Sequence, residues 1–353
     1  MEDPALSGPS RTMRRVSMAD VARHAGVSSQ TVSRVSNGFQ GVGAETREQV
    51  VVAMRELGYR PNGAARALKR GEFRTLGVIL FSLSSVGNMR TLDVIAASAA
   101  REGYAITLIP VPVPTAAGVR GAFTRLEELA VDGTIVIMEV NLLDAATVAL
   151  PPGGHVVVVD SDAGGRYSVV DTDQADGARQ AVTHLLELGH DTVWHVAGPR
   201  QSYASQRRAS AWRATLHDAG REVPALLRGD WSARAGYEAG LRLAAQSSCT
   251  AVFAANDQMA LGVLRAMHER RRWVPVEVSV VGFDDVLDVY AAIPPLTTVR
   301  QDFAEVGRRC VAGVLQQIRT GVPERGTTLV PTRLIVREST ASRPRPKPRA
   351  GAG

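Results

Sequence analysis

The sequence predicts an α/β protein in which a small all-α headpiece precedes a larger two-lobed core with parallel sheets. Three observations carry that prediction. The stretch SMADVARHAGVSSQTVSRVSNG, residues 17–38, reads as two short helices around one glycine. From Phe73 onward, apolar strand-like runs alternate with amphipathic helices in two successive series. Charge is unevenly divided as well. Residues 11–71 hold eleven Lys/Arg against four Asp/Glu, the tail 337–353 five against one, and the remainder 25 against 30. A basic head on an acidic body points to a polyanionic partner for the head. The tail ends in RPRPKPRAGAG, a Pro/Arg/Gly-rich composition that cannot build a core and reads as solvated chain.

In the headpiece, Ser17 is placed to cap a first helix, with Asp20 three residues on completing a capping-box pattern. Val21, Ala22 and Ala25 form its inward side, and Gly26 supplies the turn. Ser28 caps a second helix whose Val32 and Val35 face inward. That leaves Ser29, Gln30, Ser33, Arg34 and Asn37 on the outer face at helical spacing. A third helix fits Ala44 to Leu57, with Val50, Met54 and Leu57 on one side and Gly58 as its stop. Next, Pro61 can open a short helix that Gly71 ends. About two turns long, such a piece is marginal alone in water and reads as a hinge that becomes helical when docked.

The core begins with TLGVIL, AITLIPV, TIVIMEV and HVVVVD as strands, separated by helical stretches such as TLDVIAASAAREGY and FTRLEELAVDG. A second series follows, with TVWHVAG, TAVFAAND and VSVVGFDD between GARQAVTHLLELGH, QRRASAWRATLHDAG and MALGVLRAMHERRR. Continuous apolar strands alternating with helices imply parallel sheets covered on both faces. The last stretch, from LTTVRQDF to LIVRES, is too short for a third lobe and is expected to cross back and complete the first two. The predicted organisation is an extension at 1–15, a headpiece at 16–60, a hinge at 61–72, a core at 73–341 and a basic tail at 342–353. Within the core, lobe 1 takes about 73–172 and 302–331, and lobe 2 about 173–301 and 332–341.

Two cysteines far apart, Cys249 and Cys310, give neither a disulfide framework nor a metal spacing and suit a reducing cytoplasm. No run of eighteen apolar residues implies a membrane span, and the polar start MEDPALSGPSRTMRR lacks the apolar stretch of a signal peptide. No cofactor is expected.

Two helices joined at a tight glycine make a helix-turn-helix, whose second helix can enter the DNA major groove. Gln30 can contact adenine bidentately and Arg34 guanine. Ser28, Thr31, Ser33 and Asn37 suit phosphate oxygens. In AARAL the small alanines, Ala65 among them, allow close approach, and Leu68 is an apolar wedge suited to a minor-groove step. An ordinary helical hairpin would carry the same glycine turn, so it is the basic head and adjoining hinge that favour DNA.

The segment MADVARHAGVSSQTVSRVSNG…ETREQVVVAMRELGYRPNGAARAL closely resembles the headpiece and hinge of the lactose/galactose repressor family. The resemblance continues through HLLELGH, GDWSA, AANDQMALG, VSVVGFDD and PPLTTVRQDF, from Val16 to about Thr340, and is closest to the lactose-repressor branch. It implies a periplasmic-binding-protein-like core, a homodimer on a pseudo-palindromic operator and paired hinge helices that bend DNA. It carries base-reading roles onto Ser29, Gln30 and Arg34 and the wedge role onto Leu68. Ser17, Tyr59 and Asn62 complete the expected DNA-contacting set. Gly43 replaces the usual serine cap before the third helix, weakening that cap by a few tenths of a kcal/mol. Ser36 replaces a usual aliphatic residue, with no consequence that follows from its chemistry.

Ligands of open parallel sheets bind off the carboxyl ends of the strands. Asp160 follows VVVV, Asn256 and Asp257 follow AVFAA, Asp284 closes VSVVGF, and Arg208 is expected to open a helix after another strand. Carboxylates and an amide accept hydroxyl hydrogens, Arg donates a rigid fork, and Trp231 in GDWSA offers an apolar face for a sugar ring. Together they describe a site for a polyhydroxyl effector. Asp257 is left as a helix cap or lobe brace. The resemblance adds Gln301 and Phe303 from the crossover. It places Phe81 where the lactose-repressor branch has a small hydroxyl residue, and Ile137 where it has an amide. Both are expected to make the first-lobe wall more apolar.

Two cleft carboxylates could suggest glycoside hydrolysis, but none of the dinucleotide, P-loop, zinc-protease or nucleophile-elbow motifs is present, and no enzyme is expected. A sugar-binding transport protein would share the core but would not need a basic headpiece. The reading is therefore a DNA-binding regulator whose small effector, a sugar such as a galactoside, releases it from its operator. The alternative is the same regulator with a corepressor-type ligand such as a nucleobase.

Overall fold

The computed structural model describes residues 16–60, 71–81, 83, 85–111, 115–138, 154–161 and 163–343. The extension 1–15, the hinge positions Asn62, Ala65 and Leu68, and the tail beyond 343 lie outside the described residues. The chain divides into two compact units at Phe73/Arg74.

The first unit holds helices α1 (Met18–His24), α2 (Ser29–Ser36) and α3 (Ala44–Glu56). Ser17 caps α1 through a reciprocal pair: its Oγ accepts from Asp20 N at 3.3 Å, and its own N–H donates to Asp20 Oδ2 at 2.9 Å. Gly26, at φ +66°, turns the chain toward α2 in a conformation that side chains with a Cβ resist. Ser28 Oγ then accepts from Thr31 N at 3.1 Å and starts α2. Val21, Ala22, Val32, Val35, Val50 and Ala53 form the core, with Met54, Leu57 and Tyr59 packed partly buried against it. Gly43 begins α3 without a side-chain cap. His24 Nε2 lies 2.7 Å from Glu56 Oε2 and ties α1 to the end of α3.

The second unit begins with β1 (Thr75–Leu80), α4 (Val86–Arg101), β2 (Ala105–Pro110), α5 (Ala116–Glu128), β3 (Gly133–Ile137), β4 (Val156–Val159) and β5 (Ser168–Thr172). It continues with α6 (Gln174–Glu187), β6 (Trp194–Ala197), α7 (Tyr203–Asp218), β7 (Leu227–Arg228), α8 (Ala233–Ala244), β8 (Ala251–Ala254), α9 (Asp257–Glu269), β9 (Ser279–Asp284) and β10 (Thr297–Arg300). It closes with α10 (Phe303–Thr320), β11 (Gly326–Val330) and β12 (Arg333–Ile335).

The strands form two six-stranded sheets, ordered β11-β5-β4-β3-β1-β2 and β12-β10-β9-β8-β6-β7. Every pairing is parallel except that of β12 with β10. Central strands such as VVVV of β4 are buried on both faces, as helices on both sides require, whereas edge strand β2 is half-exposed. The first sheet is sandwiched by two clusters. Leu76, Val78 and Leu80 pack with Ile95, Val306 and Val314, while Ile79 packs with Val119 and Phe123.

The final segment crosses between the lobes. After β10, α10 buries Val306, Cys310, Val311 and Val314 in the core of the first lobe, β11 pairs with β5, and β12 returns to β10. The lobes are thus joined by three strand-to-element crossings, at 172–174, 300–303 and 330–333. Among the described residues, no helix is long and apolar enough to cross a membrane.

Candidate nucleic-acid interface and ligand pocket

Because Val32 and Val35 are committed to the headpiece core, Ser29, Gln30, Arg34 and Asn37 are left exposed on the outer side of α2, with Thr31 and Ser33 half-buried. The helix carries Arg34 in its last turn and no acidic residue in its first. A short polar face of this kind matches what base edges in the major groove ask for. Several of these groups already have local partners. Ser28 Oγ lies 2.9 Å from Thr31 Oγ1, and Asn37 Nδ2 donates to Ser33 Oγ at 3.3 Å. Ser17 serves as the α1 cap, and the Tyr59 ring packs partly buried against the core.

In the second unit, the carboxyl ends of β4, β5, β8, β9 and β10 meet the first turns of α4, α6, α7, α9 and α10 around one cleft. The cleft is concave and lined by both polar and apolar side chains. Asp160, Arg208, Trp231, Asn256, Asp284, Gln301 and Phe303 all line it. Three of them hold backbone conformations that strand ends rarely adopt: Asp160 at φ +56°, Trp231 at +75° and Asp284 at +120°. Such strain concentrates where side chains are aimed at a function.

Arg208 is the hub. It lies buried in the second turn of α7, not at the helix opening as its place in the sequence suggested. Its Nε donates to Gln174 Oε1 at 2.7 Å, and Nη1 donates to the Ala255 carbonyl and sits 3.8 Å from Asp284 Oδ1. The guanidinium carbon lies 3.7 Å from the Phe283 ring centroid and 5.6 Å from that of Trp231. Gln174 Nε2 in turn reaches Asp160 Oδ1 at 3.4 Å and Gln301 Oε1 at 3.5 Å. The Trp231 ring packs against Gly198, where a Cβ would come within 2.4 Å of it.

Burial raises the Asp284 carboxyl to about 6, against the pull of Arg208. Burial also raises Asp160. Beneath it, on β5, Asp171 is pushed up to about 9 by burial and by the Asp160 charge. The cleft therefore presents carboxylate acceptors and a fixed cationic fork, a set complementary to hydroxyl groups.

The structure places some expected residues elsewhere. Phe81 and Ile137 do not line the cleft. Strand alternation turns Phe81, like Ile79, onto the α5 side with Val119 and Phe123, and buries Ile137 with Ile95 and Val306. The first-lobe wall is instead made by Ser85, Asn88 and Thr91 of the α4 start, which sequence reasoning missed. It also missed Gln174 and Asp171, because β5 was not read as a strand; with SVVDT read as a strand, Asp171 lies within it and Gln174, opening the next helix, would have been a strand-end candidate. Asn256 is the α9 cap: its Oδ1 accepts from Met259 N at 2.9 Å and its Nδ2 donates to the Trp231 carbonyl at 3.0 Å. Asp257 is a brace, accepting from Thr298 Oγ1 at 2.6 Å and Val286 N at 3.0 Å.

Two families match the chain. "Bacterial regulatory proteins, lacI family" matches residues 17–62, and "Periplasmic binding protein-like domain" matches residues 182–340. The lactose operon repressor of Escherichia coli (strain K12) is 35% identical over 331 residues, covering 93% of this chain and 91% of the relative. The HTH-type transcriptional repressor PurR of Pasteurella multocida (strain Pm70) is 30% identical over 92% of this chain and 98% of its own length. The crystal structure of the lac repressor dimer bound to operator and the anti-inducer ONPF matches with a TM-score of 0.84 at 33% identity, covering 93% of this chain and all of that one. With a relative at this identity matched over nearly its whole length, the chain belongs to the lacI family of bacterial regulatory proteins.

Proposed function

We propose that this protein is a sequence-specific DNA-binding transcriptional repressor of sugar-utilisation genes, released from a pseudo-palindromic operator when a sugar-like effector occupies the cleft. It acts as a cytoplasmic homodimer and leaves its ligand chemically unchanged. The observation that carries this reading is the joining, in one chain, of an exposed polar α2 face to a cleft built around Arg208, Asp160 and Asp284. A lac repressor structure bound to both operator and anti-inducer, overlapping at a TM-score of 0.84, supports it. In this reading Gln30, Arg34 and Ser29 face base edges, and Asp160, Asp284 and Arg208 hold ligand hydroxyls while Trp231 covers the C–H face. Asn62, Ala65 and Leu68 complete the DNA contact from the hinge.

For the ligand to act as a switch, it must bind one arrangement of the lobes better than the other. A coupling of about 1–3 kcal/mol weakens operator binding roughly 5–150-fold. A second reading keeps the DNA-binding regulator and reverses the sign, with the ligand acting as corepressor; the PurR relative supports it. Selection from a pool of random duplexes, followed by footprinting of the selected site with and without each of a panel of galactosides, other sugars and nucleobases, tests both. Ligand-induced release supports the first reading and ligand-induced tightening the second. Salt-sensitive binding without a selected motif, unchanged by every ligand, overturns the proposal.

A further inference from the structure

Phe39 is a large aromatic residue that the headpiece core does not use: 54% of it is exposed, on the loop between α2 and α3. Its position is nevertheless well determined. Its backbone N–H donates to the Arg34 carbonyl at 3.0 Å, and its own carbonyl accepts from Arg47 Nη2 at 2.6 Å. Gly41 leaves room for the ring, since a Cβ there would meet Phe39 Cε1 at 2.5 Å. The ring lies under a guanidinium, with Arg34 Cζ 5.5 Å from its centroid. Among the described residues, no carboxylate pairs with Arg34.

A flexible arginine loses side-chain entropy when it must present its fork to one base edge. A ring fixed against the guanidinium removes part of that loss beforehand, and it does so without neutralising the charge or occupying the N–H donors, as a carboxylate would. We propose that Phe39 is a positioning residue for DNA reading: its ring pre-orients the Arg34 guanidinium and so sharpens the base preference at the position Arg34 contacts. The inference rests on the base-reading role proposed above for Arg34. The chemistry selected is a guanine edge, with its paired acceptors, in the major groove.

The test uses the full-length protein and a pool of random duplexes, sequenced after selection. Arg34→Ala identifies the base pair that Arg34 reads. Phe39→Ala should select the same motif, with the preference at that one base pair reduced about two- to five-fold. Phe39→Tyr should restore it. Phe39→Leu, apolar but without a π face, should behave like the alanine variant. A wild-type preference profile from Phe39→Ala or Phe39→Leu overturns the inference, as does an equal weakening at every position. If the wild-type protein selects no motif at all, the regulator reading and the inference fall together; if only the Phe39 variants miss their expected profiles, the inference falls alone.

Discussion

The Asp284 carboxylate accepts a 2.6 Å hydrogen bond from Nε2 of Gln301, linking the end of β9 to the crossing that leads from the second lobe into α10. A cleft acceptor is thereby attached to a segment joining the lobes, so a change at one is felt at the other. This is the physical form that coupling between ligand and lobe angle can take.

Replacing Asp284 with asparagine should remove the ligand response while leaving operator binding in place. Ligand affinity of the wild-type protein should also depend on pH. Burial holds the carboxyl up at about 6, so the acceptor form dominates above that value and is lost as pH falls through it. Calorimetric titration of a sugar found by the panel, from pH 5 to 8, should show weakening at the acid end. The asparagine variant should lack that slope.

Arg208→Met tests the hub. It leaves Asp284 and Asp160 buried without their cation, and breaking a buried pair from one side costs about 3–5 kcal/mol. The loss should be larger at pH 8 than at pH 5, because the Asp284 carboxyl, already held at about 6, becomes protonated and neutral at the lower pH. Urea unfolding at the two pH values measures the difference.

Asp171→Asn should stabilise the protein in neutral and alkaline solution. A folded-state value of about 9 means that the native chain keeps a proton the unfolded chain has already released at pH 7. Stability from this group is therefore highest in acid and declines as pH rises from about 4 toward about 9. An asparagine amide stays neutral throughout and can still donate toward Asp160. Its melting temperature should match wild type near pH 4 and exceed it by several degrees at pH 8.

Gly43→Ser should give α3 the side-chain cap it lacks. The position is extended, at φ −54° and ψ 149°, and a Cβ there meets nothing within 4 Å. The expected gain is a few tenths of a kcal/mol, read as slower hydrogen exchange of the first α3 amides in the full-length protein.

Much of the headpiece was legible because its signals are local. A capping serine, an acid three residues on, a glycine and two inward valines define α1 and α2 within twenty residues, and Asp20, Gly26 and Val32 lie where that pattern puts them. The alternation of apolar runs and helices likewise marked most strands of the two sheets. Phe81 and Ile137 were assigned to the first-lobe wall by their places in the resemblance; alternation decides which face a side chain takes, and it turns both into the packed clusters beside the sheet.

The sequence by itself determined most of the elements, their order, and many of the residue types at strand ends, since these follow from periodicity and short-range caps. Only the tertiary structure decided that Gln174 joins Arg208, Asp160 and Gln301, that Asp171 lies buried beside the Asp160 charge, and that Phe39 lies under Arg34. Gln174 and Arg208 are 34 positions apart, and Gln174 and Gln301 are 127 apart. Contacts across such separations are set by how sheets and crossings pack, which no local pattern encodes.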